Sequence, residues 1–437
     1  MLGSVAIALF LRVMGTALWL LFTVIVARGL TVEDFGFVFF VINVIMTGGV
    51  IIVLGYDVTA MRFGSRFWRD NNKQAFRNIL AEARSCIAIA GLIACFTLCI
   101  AVRLGLDTPV TQDLNIALLT GISMTAVGFM SVERDILRAA NKLQDALFAF
   151  SVIRALVPMI LSAIALGLEL LSSQAVLLFY CLALLSALVW DRWRLGKLKL
   201  PTPVALGVPH LKVALETWPG NAAFIIFQRA PTIVIGLAGG LESAALFIAA
   251  ERVSQLSTFL SDAVRTAVGP GLAKADTLDE SQQATSYASL LMLLSGSVGT
   301  VLLLILGWGI LWLFGPDYRG AFVPLMILLL GQLSWTVMGP TGLVLNMMGH
   351  NKIRSLIGSI SAVILMVLLP FVDTVIGTAW IVTFVSWGMN VALWLAIKLR
   401  LNLTSGVFGL AFNTATEMLA KDWQNIRTKI TKLRGRK

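Results

Sequence analysis

The segment GFVFFVINVIMTGGVIIVLGY, residues 36–56, decides the class of fold, because it runs for 21 residues without a charged side chain. A helix needs about 20 mostly apolar residues to cross the roughly 30 Å hydrocarbon core of a bilayer. The whole chain of 437 residues has the same character, with 58% hydrophobic and 13% charged residues. Soluble domains carry about 25% charged residues, so the sequence predicts an integral membrane protein.

Eleven further apolar runs are long enough to cross the bilayer, so the sequence predicts about 12 transmembrane helices in all. Only helices or closed barrels satisfy the backbone polar groups in lipid, and these runs are too long and continuous for barrel strands. The predicted fold is therefore an all-α integral membrane protein. The spans lie near residues 5–27, 36–56, 84–104, 113–133, 146–168, 172–190, 218–239, 243–266, 287–314, 320–347, 353–372 and 375–398.

Lysine and arginine are distributed unevenly between the two sides of these spans. With the N-terminus in the cytoplasm, the cytoplasmic loops and tail hold 27 of the 34 Lys and Arg residues, and the opposite loops hold three. Such an excess sets membrane orientation, so both termini are predicted to be cytoplasmic. The remaining four residues lie inside predicted spans: Arg12, Arg154, Arg229 and Arg252.

The composition also disfavours several function classes. The net charge of +11 comes from residues that flank apolar spans, without a basic patch interleaved with aromatics, so we expect no nucleic-acid binding. The four cysteines lie in apolar runs without a C-x-x-C pair, and the two histidines lie in separate loops. We therefore expect no disulfide, metal site or cofactor. The loops are too short for a soluble catalytic domain and hold no recognisable catalytic set, so an enzyme is not predicted.

The predicted eighth span carries a polar stripe. In ALFIAAERVSQLSTFLSDAV, residues 245–264, polar side chains recur at steps of 4, 3 and 4, which places them on one helical face. A stripe this polar cannot face lipid along its length, so it should line a water-filled cavity or a helix interface. Its members are Glu251, Gln255, Thr258 and Asp262.

Other predicted spans carry polar residues that suit the same cavity. Arg12 lies nearer the inner leaflet, where it either lines the cavity or extends to the interface. The predicted acids at membrane depth, Glu251 and Asp262, do not balance four arginines, and the positive excess requires an anion from outside the protein. The remaining candidates are Asn43 and Thr47 in span 2, Arg154 in span 5, and Asn221, Gln228 and Arg229 in span 7, where Pro219 and Pro231 can kink the helix.

Two cytoplasmic segments are predicted to be basic amphipathic helices. One carries Arg62, Arg66, Arg69, Lys73 and Arg77 at helical spacing, and the other is the tail beyond residue 401. Both suit binding to the anionic lipids of the inner leaflet. A solvated or partner-bound helix is the alternative for the tail.

Four segments carry a resemblance to a known family. They are ARGLTVEDFGF (27–37), LGYDVTAMRFGSRFWRDNNKQAFRNIL (54–80), LFGPDYRGAFVPLMILLLGQL (313–333) and GPTGLVLNMMGHNKIRS (339–355). They resemble the first interhelical turn, the cytoplasmic segment after helix 2, and the helix 9–11 region of the polysaccharide (Wzx-type) flippases. These flippases belong to the multidrug/oligosaccharidyl-lipid/polysaccharide exporter superfamily. The resemblance extends to about residue 400.

The resemblance implies a location in the bacterial cytoplasmic (inner) membrane and two six-helix lobes around a central cavity with alternating access. Residues 1–190 would form the N-terminal lobe and residues 218–400 the C-terminal lobe. Residues 191–217 would form a basic cytoplasmic linker, and residues 401–437 a basic cytoplasmic tail.

The resemblance further implies a lipid (undecaprenyl)-diphosphate-linked oligosaccharide as cargo, moved from the inner to the outer leaflet for export polysaccharide synthesis. A polysaccharide polymerase and export machinery would be partners, and H⁺ or Na⁺ the coupling ion. Arg12, Arg154, Arg229 and Arg252 would bind the diphosphate, and Asn43, Asn221, Gln228, Gln255 and Thr258 the sugars. Glu251 and Asp262 are the coupling candidates.

Three alternatives remain open. A multidrug antiporter of the same superfamily would need an acid-rich cavity for cationic cargo, whereas this chain is arginine-rich. A flippase for the peptidoglycan precursor would usually carry about two more helices. A membrane enzyme acting on lipid-linked glycans would usually carry a large external loop, whereas the external loops here are about ten residues.

Overall fold

The computed structural model describes residues 2–409, apart from 107, 205–206, 259–260, 262–263, 265–267 and 269–276. Regular secondary structure in these residues is helical throughout. Eleven of the described helices are long and apolar enough to cross a membrane. The prediction of an all-α, multi-pass membrane protein is confirmed. Part of the predicted eighth span, with Asp262, and the tail from residue 410 lie outside the described residues.

The first part of the chain forms eight α-helices and one π-helix. They are α1 (Leu2–Gly29), α2 (Val32–Ile52), α3 (Tyr56–Arg69), α4 (Lys73–Arg103), α5 (Leu114–Ala139), α6 (Leu143–Leu147), the π-helix (Phe148–Ile153), α7 (Arg154–Gly167) and α8 (Ser173–Gly196).

The rest of the described chain forms seven α-helices and three short 3₁₀ segments. They are α9 (Leu211–Ala238), α10 (Leu241–Gln255), α11 (Leu278–Phe314), a 3₁₀ segment (Pro316–Ala321), α12 (Phe322–Met338), α13 (Thr341–Met347), α14 (Asn351–Leu368), a 3₁₀ segment (Leu369–Phe371), α15 (Val375–Leu401) and a 3₁₀ segment (Gly406–Gly409).

The described residues divide into two compact units. The first is drawn from Met1–Ala249, Leu311–Ala321 and Met366–Thr378, and the second from Ala250–Ile310, Phe322–Leu365 and Ala379–Lys437. Helix α9 therefore belongs to the first unit, where it packs against α2 and α3. The lobe boundaries proposed from the sequence stay a prediction.

Helix α2 is the centre of the first unit, packed between α5, α8 and α9. Thr31 caps its N-terminus, because the Thr31 hydroxyl accepts the Asp34 amide at 3.1 Å. Gly36 allows close packing, since a Cβ there would collide with the backbone carbonyl of Leu241. Gly55 ends the connection to α3 with a φ of +82°, a left-handed conformation that glycine adopts without strain.

In the second unit, α12 and α15 are joined by polar contacts two helical turns apart. The Thr383 hydroxyl donates to the Ile327 carbonyl at 2.8 Å, and the Asn390 amide donates to the Ser334 hydroxyl at 2.8 Å. Such contacts join membrane helices, because lipid offers these groups no other partner.

Three sequence predictions about helix continuity are corrected. The basic residues predicted on one helix lie on two, because α3 ends at Arg69 and the Asn72 side chain caps α4, accepting the Ala75 amide at 3.0 Å. Neither Pro219 nor Pro231 breaks α9, which is helical through both, and a kink at either proline stays a prediction. Helix α10 ends at Gln255 and is followed by a turn, where the Ser257 hydroxyl donates to the Ser254 carbonyl at 2.7 Å.

Candidate functional site

Helix α2 presents a buried asparagine to an arginine of α9. The Arg229 guanidinium (Nη1) donates to Asn43 Oδ1 at 3.0 Å. The Asn43 amide donates to the Phe39 carbonyl one turn earlier at 2.8 Å, and Asn43 is completely buried. Because its amide nitrogen is used within α2, the oxygen of Asn43 is directed at Arg229 and orients this guanidinium.

One helical turn along α2, a second arginine approaches Met46. Arg154 Nη1 lies 3.6 Å from Met46 Sδ, and Arg154 Nε donates to the Phe150 carbonyl at 3.1 Å. The guanidinium carbon lies 4.4 Å from the ring centre of Phe150 and 5.5 Å from that of Trp19. These aromatic faces stabilise a cation without neutralising its charge.

A π-helix directly precedes Arg154 and sets its direction. Residues Phe148–Ile153 make wider turns than an α-helix, and such π-bulges are frequent at functional sites. The Tyr180 hydroxyl of α8 lies 3.2 Å from the Met46 sulfur and also interacts with Arg154. The local shape of three helices therefore places Arg154 against α2.

Arg154 and Arg229 form what we call the arginine pair. Their contacts on α2, Met46 and Asn43, are three residues apart and so share one face of that helix. The two positive charges interact electrostatically. Within the described part of the chain, neither forms an ion pair with a carboxylate, and the Arg229 Nε atom is buried without a hydrogen-bond partner. The arrangement favours an anion with several oxygen acceptors.

The structure adds a third arginine that sequence reasoning missed. The guanidinium carbon of Arg134 lies 4.5 Å from the Phe150 ring centre, so Phe150 contacts both Arg134 and Arg154. Arg134 also pairs with Asp135 at 3.0 Å. Arg134 lies near the C-terminal end of α5, in what the sequence predicted to be a loop, and no spacing in the sequence indicates its contact with Phe150.

Three other predicted site residues of the first unit have different surroundings. Arg12 is exposed on α1 and makes no hydrogen bond or ion pair with the described residues. Gln228 is exposed on α9. The Asn221 amide donates to both carboxylate oxygens of Asp57, at 3.2 and 3.1 Å, so this side chain is engaged within the protein.

Of the predicted polar stripe, Glu251 and Gln255 lie on α10, whereas Thr258 lies beyond the turn that follows this helix. Gln255 lies between its neighbours: its amide donates to Glu251 Oε1 at 3.1 Å, and its oxygen lies 3.5 Å from Arg252 Nη1. The Thr258 hydroxyl donates to the Gln255 carbonyl at 2.8 Å. Arg252 is buried and belongs to the second unit. Asp262 lies outside the described residues.

Comparison with known proteins decides the family. A family model described as polysaccharide biosynthesis protein matches residues 2–276. The chain belongs to this family. No curated protein matches its sequence.

Solved structures similar to this family member are transporters of the multidrug/oligosaccharidyl-lipid/polysaccharide exporter (MOP) superfamily. An inward-facing MATE-family multidrug resistance transporter aligns with a TM-score of 0.73 at 14% identity, over 90% of this chain and 98% of that chain. An outward-facing MATE transporter gives 0.61 at 14%, over 91% and 95%. A MOP transporter from Pyrococcus furiosus, described as having a binding pocket of reverse polarity that suggests a different function, gives 0.62 at 14%, over 91% and 95%.

These likenesses show a fold shared with transporters of the MOP superfamily, and the family match places the chain among polysaccharide biosynthesis proteins. The described residues of this polysaccharide biosynthesis family member contain no group of three or more His, Cys, Asp or Glu side chains that could hold a metal ion. Through its guanidinium groups, the arginine pair can bind an anion.

Proposed function

We propose that the chain moves a lipid (undecaprenyl)-diphosphate-linked oligosaccharide from the inner to the outer leaflet of the bacterial cytoplasmic membrane by alternating access. The observation that carries the proposal is the arginine pair: two guanidinium groups on one face of α2, without a paired carboxylate among the described residues. A diphosphate supplies the charge and the oxygen acceptors that guanidinium groups bind in bidentate fashion. The family match, to polysaccharide biosynthesis, supports a glycan cargo.

Polarity supports this cargo over a cationic one. One structure with a similar fold is described as having a binding pocket of reverse polarity and a suggested different function. An arginine-lined pocket in this chain would repel cationic drugs and attract a lipid diphosphate. The multidrug antiporter is thus the less favoured transporter.

The remaining roles in the proposal follow the sequence predictions. Arg252 would also bind the diphosphate, Gln228, Gln255 and Thr258 would bind the sugars, and Glu251 and Asp262 would couple transport to H⁺ or Na⁺. Arg12 is a weaker diphosphate candidate because it is exposed, and Asn221 a weaker sugar candidate because Asp57 occupies its amide. Both termini would be cytoplasmic, and the basic segments would bind anionic lipids.

The experiment is a deletion strain extracted for lipid-linked oligosaccharides and assayed for the leaflet that holds them. We expect a complete repeat unit to accumulate on the cytoplasmic leaflet, with drug tolerance unchanged. The intact gene should restore export, and so should Arg103→Ala, a matched control because Arg103 is exposed at the end of α4. Arg229→Ala should be inserted normally without restoring export.

Other outcomes of the same experiment would point elsewhere. Increased sensitivity to cationic drugs without lipid accumulation would favour the antiporter. Accumulation of an unpolymerised lipid on the outer leaflet would favour an enzyme acting after translocation.

A further inference from the structure

One face of α9 is bonded to the helices that precede it. The Trp218 indole donates to the Ile51 carbonyl at 3.1 Å, and the Asn221 amide donates to Asp57. His210, Trp218, Asn221 and Arg229 lie within about 100° around the helix axis, at 100° per residue. We call the contacts of His210, Trp218 and Asn221 the α9 seam. It lies within the first unit.

Helix α4 holds the chain that leads into α9. Gln74 and Asn78, four residues apart, bind the backbone of the linker: the Gln74 amide donates to the Thr202 carbonyl at 2.9 Å, and Asn78 Oδ1 accepts the Val204 amide at 3.1 Å. The Gln74 amide also donates to Asn78 Oδ1 at 3.1 Å. The described part of the linker, at Thr202 and Val204, is therefore hydrogen-bonded to one face of α4.

Glu82, four residues beyond Asn78, completes this row. One carboxylate oxygen accepts the His210 backbone N–H at 2.8 Å and the Tyr56 hydroxyl at 2.9 Å, and the other lies 2.8 Å from His210 Nδ1. Glu82 is only 5% exposed. His210 is the residue before the first turn of α9, where a carboxylate is also favoured by the helix dipole.

Burial keeps the Tyr56 hydroxyl protonated, so that it can donate to Glu82. It raises the pKa of Tyr56 above its ordinary value, so this phenol remains protonated and donates to Glu82. The carboxylate thus joins α3, α4 and the start of α9 through three contacts. Three contacts to one buried side chain fix a helix more firmly than a single surface ion pair.

We propose that Glu82 and Asp57 are positioning residues, which hold α9 on the first unit so that Arg229 stays beside Arg154 throughout transport. The arginine pair is then a preassembled anion site carried by one unit. This inference rests on the proposed function for the identity of the anion. The seam is the independent part, because its contacts involve neither arginine.

Hydrogen exchange tests the seam without any substrate. In Glu82→Ala we expect faster amide exchange in peptides covering residues 210–222, with exchange in α5 unchanged. Glu82→Gln retains an acceptor for Tyr56 and the His210 amide and should stay near the parent. Glu216→Gln is the matched control, since Glu216 is exposed on the opposite side of α9. Equal exchange of residues 210–222 in Glu82→Ala and the parent would overturn the positioning role.

A double-mutant cycle then tests whether the seam acts through Arg229. With purified full-length protein in micelles and undecaprenyl diphosphate as the probe, Glu82→Ala should weaken binding about 10-fold, and Glu82→Gln by less than about threefold. In the Arg229→Ala background, Glu82→Ala should weaken binding by less than about twofold. An equal factor in both backgrounds would show that Glu82 does not act through Arg229.

Asp57 provides a second series in case Glu82→Ala folds poorly. Asp57→Ala should lower affinity and speed exchange around residue 221, whereas Asp57→Asn should restore both, because its amide oxygen still accepts from Asn221. Failure of Asp57→Asn to restore either property would remove Asp57 from the seam. If the parent does not bind undecaprenyl diphosphate but Glu82→Ala still loosens α9, the proposed cargo fails and the positioning role stands.

Discussion

The arginine pair on α2 and the polar stripe on α10 are both polar groups in membrane helices, but their charges are arranged differently. On α10, the uncharged side chain of Gln255 contacts both Glu251 and Arg252, so an acidic and a basic residue of one helix have the same neutral partner. At the arginine pair, Arg229 meets a neutral amide and Arg154 meets aromatic rings. An intramembrane charge balanced within its own helix gives little information about a ligand, whereas two adjacent like charges indicate one.

The largest expected effect comes from removing the pair. Arg154→Ala with Arg229→Ala should weaken undecaprenyl diphosphate binding by about 100-fold or more, because each charge-assisted hydrogen bond contributes about 1.5–3 kcal/mol and about 1.4 kcal/mol is tenfold. Thermophoresis on the purified protein would measure the affinity. Arg103→Ala is the control, and a loss of less than threefold in the double variant would separate the pair from the anion.

A second test introduces a carboxylate beside the arginine pair. Asn43→Asp places a carboxylate 3.0 Å from Arg229, the position now held by Oδ1, and should weaken diphosphate binding about 10-fold by competing for the guanidinium. The control is Asn390→Asp, which changes another completely buried asparagine, in the second unit. Equal losses in the two variants would attribute the effect to burial of a charge.

A smaller effect is expected from the stripe on α10. Glu251→Gln retains the contact with Gln255, so binding of undecaprenyl diphosphate should change by less than about threefold. If Glu251 is a coupling residue, the variant should keep transport without a pH gradient and lose the acceleration that a gradient gives. Flippase assays in proteoliposomes at equal and unequal pH would measure both. An unchanged response to the gradient would leave Glu251 with a packing role.

The smallest effect concerns the seam. Burial raises the pKa of Asp57 above its ordinary value of 3.8, so the folded protein binds this proton more tightly than the unfolded chain. Stability from this group is therefore greatest at low pH and is lost as pH rises from about 3.8 through the raised pKa. Asp57→Asn should flatten this part of the Tm–pH profile in detergent. A parallel profile in the variant would contradict the assignment.

The sequence predicted the membrane helices well, since each span needs only a long apolar run. The arginine pair could not be predicted. The span 146–168 was assumed to be regular, but the π-helix changes the direction of Arg154 relative to every residue before it. Periodicity at 3.6 residues per turn cannot locate a side chain across such a segment.

Tertiary contacts explain the other differences. Asn221 has the residue type and depth of a sugar ligand, yet Asp57, 164 positions away in sequence, occupies its amide. Arg134 was assigned to a loop by its place at a helix end, although Phe150 brings it beside Arg154. Each of these depends on partners distant in the chain.

The π-helix before Arg154 also has a consequence for the evolution of the site. A π-bulge contains one residue more than the α-helical turn that it replaces, so deleting a single residue between Phe148 and Ile153 could restore a regular helix. The residues on either side would then rotate by about 100° relative to each other, at 3.6 residues per turn. One codon could thus turn Arg154 away from α2 and change the charge that this face offers, while the number of membrane spans stayed the same.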